Sequence, residues 1–551
     1  MTNYESPSSR RTIAIILAAG SVSPELLADL GPIRTSSIPL GGVSISARHL
    51  NELYTECDEL LLVADIRDVD ELRVQIGHSR FPKTKIVEAR SEWTFLESLR
   101  KALCQTNLQQ GRVLILFGDT LSPVPRAEDA ISVAPAPDSD RWAMVSRDEA
   151  GSLNISVGAD GIPGALAVVG MFSFSDAALL RGLLESGERI SRTDDFWSVI
   201  EAYDGQKTLA LEEVDSWLDV GHIDTFYAAR RATLSGRAFN DFQTTTRTIR
   251  KQSSRRSKIA DEVRWFDLAP VEAEPLLPRI RAWDTSRDPA WYEMDFVPAI
   301  SLGEAWTFAA LDSGFWDPVS FSIERAHRLM TDLSVEPSSS GTKKGIARDL
   351  LVTKVKERIR VLSTQLLRND PPLSENIDSS SLIQELTAVV NGLEALAQSV
   401  AKETPFGFCH GDFFLGNMLY DRRVDSLTLL DPRGRIGAEV NFGPFIYDVA
   451  KLSHSIRSSY DFLAANLFHL NASIAHVELD IVTSSAAENA RVSLLRAQMA
   501  IEERLGLSRE LVRRVEATLL ISAAALHYEQ PLRQLALLLS GLRVWSAVAD
   551  E

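Results

Sequence analysis

Cysteine is scarce: three residues in 551, Cys57, Cys104 and Cys409, far apart and without a C-x-x-C pair. That excludes a disulfide framework and a structural zinc site, and a reducing compartment fits. Long apolar runs are also missing. No stretch approaches the roughly 20 residues a membrane span requires, and Ile13–Gly20 is short enough to read as a strand. The start, MTNYESPSSRR, is polar and lacks the apolar core of a signal peptide. The expectation is a cytoplasmic protein with no membrane insertion. Positive charge is in deficit: 58 Lys+Arg against 75 Asp+Glu leave −17. Such a field repels phosphate polymers and argues against nucleic acid as a partner. It would draw in cationic small molecules, while small anions can still be held by local groups. What is present is an ordinary globular mix, 45% hydrophobic and 24% charged, ample for a core.

The first 235 or so residues alternate strands and helices. TIAIILAAG is an apolar strand ending at Gly20, and ELLLVAD and RVLILFGD end on Asp65 and Asp119. SARHLNELYTEC and WTFLESLRKALCQ carry helical patterns between them. This is the βαβ signature of a mostly parallel sheet, whose strand ends gather ligands. A strand, glycine loop and helix let backbone amides approach nucleotide phosphates. Asp119, and Asp219 in SWLDVGH, are two carboxylates suited to one shared Mg²⁺. In this order, LAAG, GD and W-x-D-V-G resemble the sugar-phosphate nucleotidylyltransferase family over residues 11–235. The resemblance implies a Rossmann-like α/β sheet, a nucleotide loop at Leu17, Ala18, Ala19 and Gly20, and CTP or another NTP as nucleotidyl donor. The chain departs from the family at Val22, which replaces the second loop glycine, and lacks the Arg that follows it. Ile33 or Ser36, depending on alignment, stands where the family has the Lys of P-K. Arg34 is the cation that could stand in for the lost charge. Trp217 and His222, flanking Asp219, read as packing and structural residues.

Near residue 236 the character changes. TTTRTIRKQSSRRSK suits a basic β-hairpin, KIADEVRWFDLAP a helix closed by Pro270, WYEMDFVPA a short strand, and Val335–Gly341 a loop. Periodic apolar positions mark helices over 344–368, 381–402 and 485–547. FGFCHGDFFLGNMLYDRRVDSLTLLDPRGR interrupts them as loop, short strand, turn, strand and loop. HGDFFLGN brings His410, Asp412 and Asn417 together, and LLDPRG adds Asp431 at a strand end. Phosphoryl transfer to an alcohol needs these parts: a carboxylate to accept the proton, and an amide with a second carboxylate to hold Mg²⁺. Asp412 and Asn417 stand five positions apart, the interval of the kinase catalytic loop.

These motifs resemble the aminoglycoside phosphotransferase and choline kinase family, with H-G-D-x-x-x-x-N, over residues 236–551. The resemblance implies an α+β bilobal protein-kinase-like phosphotransferase domain, with an N-lobe at 236–300 and a C-lobe at 301–551, and ATP as donor. It makes Asp412 the catalytic base, Asn417 and Asp431 the Mg²⁺ ligands, and His410 a support of the loop. The family's phosphate-gripping Lys and helix Glu map to Lys251 and Glu262; Lys258, which begins the helix, is the competitor. YEMDFVPA resembles the hinge that binds adenine through backbone groups near Met294 and Phe296. Arg433, in DPRG where kinases have DFG, either touches a substrate phosphate or caps a turn.

Combined, the two halves read as a bifunctional enzyme. One phosphorylates a hydroxyl on a small polar acceptor, a choline-like amino alcohol or a sugar. The other activates that phosphomonoester with an NTP, for surface polysaccharide or glycolipid synthesis. The alternative is a kinase alone, with the first domain binding or dimerising; a homo-oligomer is left open. An antibiotic-modifying phosphotransferase fits the fusion poorly, since detoxification needs no nucleotidyl-transfer domain.

Overall fold

The computed structural model describes residues 11–76, 81–90, 92–106, 111–135, 141–157, 165–186, 196–234, 240–332, 340–368, 379–436, 439–440, 442–473 and 476–550. It divides into two compact units: Met1–Ala28 with Pro32–Thr233, and Asp29–Gly31 with Leu234–Glu551. The polar start before Arg11 and the change of character at 235–239 lie outside the described residues.

In the first unit the strands are β1 (Thr12–Leu17), β2 (Glu59–Asp65), β3 (Thr84–Ala89), β4 (Arg112–Phe117), β5 (Thr120–Leu121), β6 (Ala130–Ala134), β7 (Ala143–Arg147), β8 (Leu153–Val157), β9 (Leu166–Phe174), β10 (Ala210–Glu213) and β11 (Leu218–Asp219). The main sheet runs β10-β6-β9-β4-β1-β2-β3, with β7 on β9 and β8 on β7. β3, β2, β1 and β4 are parallel. β9 is antiparallel to both β4 and β6, so the sheet is mixed rather than mostly parallel. A strand buried on both faces is apolar throughout whatever its direction, so its sequence does not report its orientation. β1 shows the two-sided burial directly. Ile13, Ile15 and Leu17 enter one core cluster, and Ala14, Ile16 and Ala18 the other. β5 and β11 form a separate antiparallel ribbon that pairs Thr120 with Asp219. That ribbon draws the end of β4 toward the W-x-D-V-G segment.

The second unit opens with a four-stranded antiparallel sheet, β12 (Asn240–Thr244), β13 (Thr248–Ser253), β15 (Ala290–Asp295) and β14 (Ile280–Asp284), in that order. The helix Arg256–Leu268 follows the β12–β13 hairpin and ends just before Pro270. β16 (Ile300–Ser301), β17 (Phe406–Phe408), β18 (Met418–Asp421) and β19 (Ser426–Leu429) frame the HGD segment, an island of loops and short strands where β18 pairs with both β16 and β19. Helices make up most of the rest, among them Ser379–Glu403, Phe445–Ile456, Ser485–Leu505, Arg509–Ala524 and Pro531–Asp550. Two features escape the periodicity. A hairpin, Phe468–Ser473 with His476–Ile481, sits within the helical stretch. The segment read as a loop at 335–341 lies outside the described residues up to 339, and Ser340 and Gly341 begin the helix Ser340–Arg348.

Candidate active sites

β13 alternates half-buried and buried residues, so Ile249, Lys251 and Ser253 share the inward face. A lysine at an apolar-facing position is costly unless its charge is met. Here it is met twice. Lys251 Nζ, 1% exposed, lies 2.9 Å from Glu262 Oε2 and 2.9 Å from Asp431 Oδ1. Burial alone would lower the Lys251 pKa, but Asp431, Tyr292 and Glu262 hold it well above the usual value. Lys258 is 41% exposed and lies 3.7 Å from Glu262 Oε1. Of the two candidate lysines, Lys251 is the one placed between the helix carboxylate and the island. Asp431 is 46% exposed and adopts a left-handed backbone, φ 52°, a conformation Asp tolerates and functional loops often hold.

The HGD loop is braced from beneath. Asp448, on the buried helix Phe445–Ile456, accepts the His410 N–H at 2.8 Å and the Gly411 N–H at 2.6 Å. Burial raises its carboxyl to about 7, against those two bonds. His410 is buried, and burial pushes its imidazole down to about 4. Its Nδ1 accepts the Asp412 N–H at 3.3 Å, and its ring meets the edge of Trp265. His410 thus props the loop from its buried place. Asn417 Nδ2 donates to the Asp412 carbonyl at 3.0 Å and to Asp412 Oδ2 at 3.2 Å. The Leu430 N–H, next to Asp431, donates to the Asn417 carbonyl at 2.9 Å. Asp412, Asn417 and Asp431 are thereby linked through their own backbones. Lys451 Nζ sits 2.7 Å from Asp412 Oδ1. Burial would raise the Asp412 carboxyl, but Lys451 outweighs it and holds the group well below the usual carboxylate range.

The two hinge residues are already engaged. Met294 pairs with Ile249 on one side and Ile280 on the other, with its side chain in the small-lobe core. The Phe296 N–H donates to the Arg247 carbonyl at 2.9 Å. That amide is thus bonded alongside the β13–β15 pair, and the Phe296 ring packs on the same core.

In the first unit, Asp119 follows β4 and Asp219 ends β11. A Cβ placed on Gly221 would come within 2.8 Å of Asp119 Oδ2 and 3.3 Å of Asp219 Oδ1, so the glycine lies against both carboxylates. Burial, then the neighbouring Asp219, raises Asp119 to about 6. Asp219 is held from several sides: Oδ1 accepts the Gly221 N–H at 2.9 Å, and Oδ2 lies 3.2 Å from His222 Nδ1, 3.3 Å from Trp142 Nε1 and 3.2 Å from Thr225 Oγ1. His222, read as structural, thus touches the candidate metal ligand directly. Leu17, Ala18 and Ala19 are buried and Gly20 is exposed. The Gly20 carbonyl accepts Thr35 Oγ1 at 2.8 Å, and Arg34 Nη1 reaches Ser21 Oγ at 3.4 Å. Arg34 therefore stands beside the loop, with its Nε 3.6 Å from Asp68. Ile33 and Ser36 are both buried and bring no cation.

Both donor sets suit Mg²⁺, a hard cation that keeps several waters and substrate phosphates as ligands. They are one amide with one carboxylate, Asn417 and Asp431, and one carboxylate pair, Asp119 and Asp219. No group of three or more His, Cys, Asp or Glu able to hold a metal occurs among the described residues.

The motif reading missed Lys451, Asp448, Tyr447 and Trp142. For two of them a signal existed. Asp448 and Lys451 are the acidic and basic side chains of FIYDVAKLSHSI, an otherwise apolar and buried helix, and charges in such a run are rarely there without partners.

Residues 362–474, which contain the HGD loop, Asp431 and Lys451, match the model of the phosphotransferase enzyme family (APH). No curated protein matches the chain. Among solved structures, a 4-diphosphocytidyl-2C-methyl-D-erythritol synthase from Anaerococcus prevotii is similar at 16% identity and TM-score 0.30, over 40% of this chain and 95% of its own. A nucleoside-diphosphate-sugar pyrophosphorylase from Vibrio cholerae is similar at 16% identity and TM-score 0.32, over 40% and 99%. A protein assigned as a glucose-1-phosphate thymidylyltransferase from Bacillus anthracis aligns at 12% identity and TM-score 0.35, over 41% and 98%. Within the second unit, residues 362–474 thus carry the phosphotransferase family match, and the first unit has a mixed α/β sheet. No helix among the described residues is long and apolar enough to cross a membrane.

Proposed function

We propose that the second unit transfers the γ-phosphoryl group of ATP to a hydroxyl of a small polar acceptor. The observation that carries this reading is the double ion pair of Lys251 with Glu262 and Asp431, beside the braced Asp412–Asn417 loop. In this reading Lys251 grips the nucleotide phosphates, with Glu262 fixing its ammonium. Asn417 and Asp431 would hold Mg²⁺, which supplies charge neutralisation to the phosphates. Asp412, kept ionised by Lys451, orients the acceptor hydroxyl and takes its proton. His410 and Asp448 keep the loop in shape. Asp412→Asn should cut acceptor-dependent ADP release by about 10²–10⁴-fold; undiminished turnover would overturn the assignment.

For the first unit we infer nucleotidyl transfer from CTP or another NTP to the phosphomonoester made by the second. Asp119 and Asp219 would hold Mg²⁺, and the loop after β1 would receive the triphosphate. The two steps form an activation sequence suited to surface polysaccharide or glycolipid synthesis in the cytoplasm. A binding or dimerising role competes, favoured by Arg34: this cation beside the loop, which could partly replace the family's lost charge, is itself close to Asp68. Asp119→Ala should abolish pyrophosphate release. If wild type releases none from any NTP in the presence of the kinase product, the binding role stands.

A further inference from the structure

A cavity opens beside Asp412, lined by Lys354, Arg358, Lys451, Phe414, His454 and Tyr460 and closed by the helix Arg509–Ala524 and the residues after it. Its charge is opposite to that of the molecule. Three cations line it, against one carboxylate among the described residues, Asp412 itself. That carboxylate is already paired with Lys451. Behind the lining, the buried Tyr447 hydroxyl receives Lys354 Nζ at 3.0 Å and Arg433 Nη1 at 2.8 Å. Arg433, left open between a turn cap and a phosphate contact, thus joins the cationic cluster through Tyr447. Lys354 stands where a π-helical turn, Asp349–Thr353, gives way to the helix Lys354–Arg368. Such irregular turns often serve to aim functional side chains.

We infer that the acceptor phosphorylated at Asp412 is an anionic polyol, a hydroxylated carboxylate or phosphomonoester whose charged end is held by Lys354 and Arg358. The inference rests on the kinase reading of this site and names its substrate class. The aromatic wall of Phe414, His454 and Tyr460 would by itself also suit a quaternary ammonium. Electrostatics decides between them. Among the described lining residues an ammonium would meet one carboxylate, Asp412, already paired with Lys451, and would otherwise face like charges. An anion meets the reverse situation. The cluster is short of counter-charge: burial, with Arg433 and Lys451, pushes the Lys354 ammonium down to about 8. The same cations bring the Tyr447 phenol down to about 8 against the effect of burial. The overall charge of −17 therefore says nothing about the acceptor, because the field at the reacting hydroxyl is set by these few groups.

The test uses the full chain, with its ATP site saturated by a non-hydrolysable ATP analogue and Mg²⁺, and calorimetric titration of gluconate, sn-glycerol 3-phosphate, glycerol and choline. At least one of the two anions should bind at least tenfold tighter than glycerol and choline, and which one does so separates carboxylate from phosphate. Lys354→Met should weaken that anion at least tenfold, and Lys354→Arg should restore most of the affinity in a chain of unchanged melting temperature. In turnover, the loss should fall on the acceptor KM while the ATP KM stays within twofold. Tighter choline binding, failure of both anions to bind, or anion affinity indifferent to Lys354→Met would overturn the inference. So would a loss confined to the ATP KM, or anion binding abolished by Arg34→Ala instead, which would locate the anion in the first unit. Failure of the kinase reading looks different: no ADP from ATP with any acceptor, and wild type equal to Asp412→Asn.

Discussion

At the scale of single residues, Lys451 sets the acidity of the proposed base. A carboxylate works as a base only when ionised, so the acid limb of the rate profile follows its pKa. Lys451 holds Asp412 low, and removing the cation lets burial raise it. Lys451→Met should therefore move the acid limb of kcat/KM to higher pH, by a unit or more on the order of typical charge-partner effects. An unmoved limb would mean that another group carries the proton. Asp412 and Asn417 were singled out by their five-residue interval, and the roles of all three, Asp431 included, by the resemblance, because phosphoryl transfer calls for those chemical types in that order. Lys451 and Asp448 were not, because nothing local ties residues 448 and 451 to residue 412. Only the packing of the helix Phe445–Ile456 under the loop does.

Between elements, the decisive contacts are close backbone approaches. Gly434, at φ 74°, lies so near the helix Arg256–Leu268 that an added Cβ would stand 2.8 Å from both Asp261 C and Glu262 N. Backbone cannot yield as a flexible side chain does, and the conformation itself disfavours a side chain. Gly434→Ala should displace the helix that presents Glu262, raise the ATP KM several-fold and lower the melting temperature; an unchanged ATP KM would detach that helix from nucleotide binding. In the first unit, Arg147 on β7 clamps Asp204 at 2.8 and 3.1 Å, and Asp204 also accepts the Leu209 N–H at 2.8 Å. Burial would raise the Asp204 carboxyl, but these bonds hold it below its usual value. A carboxyl whose folded pKa lies below the unfolded one, about 3.9, stabilises above that pH. The contribution disappears as pH falls through the folded value. Asp204→Asn should cost about 1.5–3 kcal/mol near pH 7, and the gap to wild type should narrow in acid unfolding as pH falls below about 3.9. A constant gap would contradict the ion-pair account. The alternation of β13 and the two-sided burial of β1 were readable in sequence. The direction of β9 and the hairpin after Phe468 were not, since both depend on which neighbours pair with them.

For the whole molecule, composition and net charge describe the solvated surface, while both proposed sites depend on local exceptions to it. Lys251 is a lysine in a core position, and the Lys354–Arg358–Lys451 cavity is a basic recess in an acidic chain. The most direct observation is phosphorus NMR of the full chain with Mg²⁺, ATP, CTP and a panel of anionic, neutral and cationic polyols. A new phosphomonoester resonance should grow with ADP for an anionic acceptor, followed by pyrophosphate as CTP is consumed, and neither should appear with Asp412→Asn. An ATP spectrum that stays unchanged with every acceptor, or one that changes equally in wild type and Asp412→Asn, would contradict a phosphotransferase centred on Asp412.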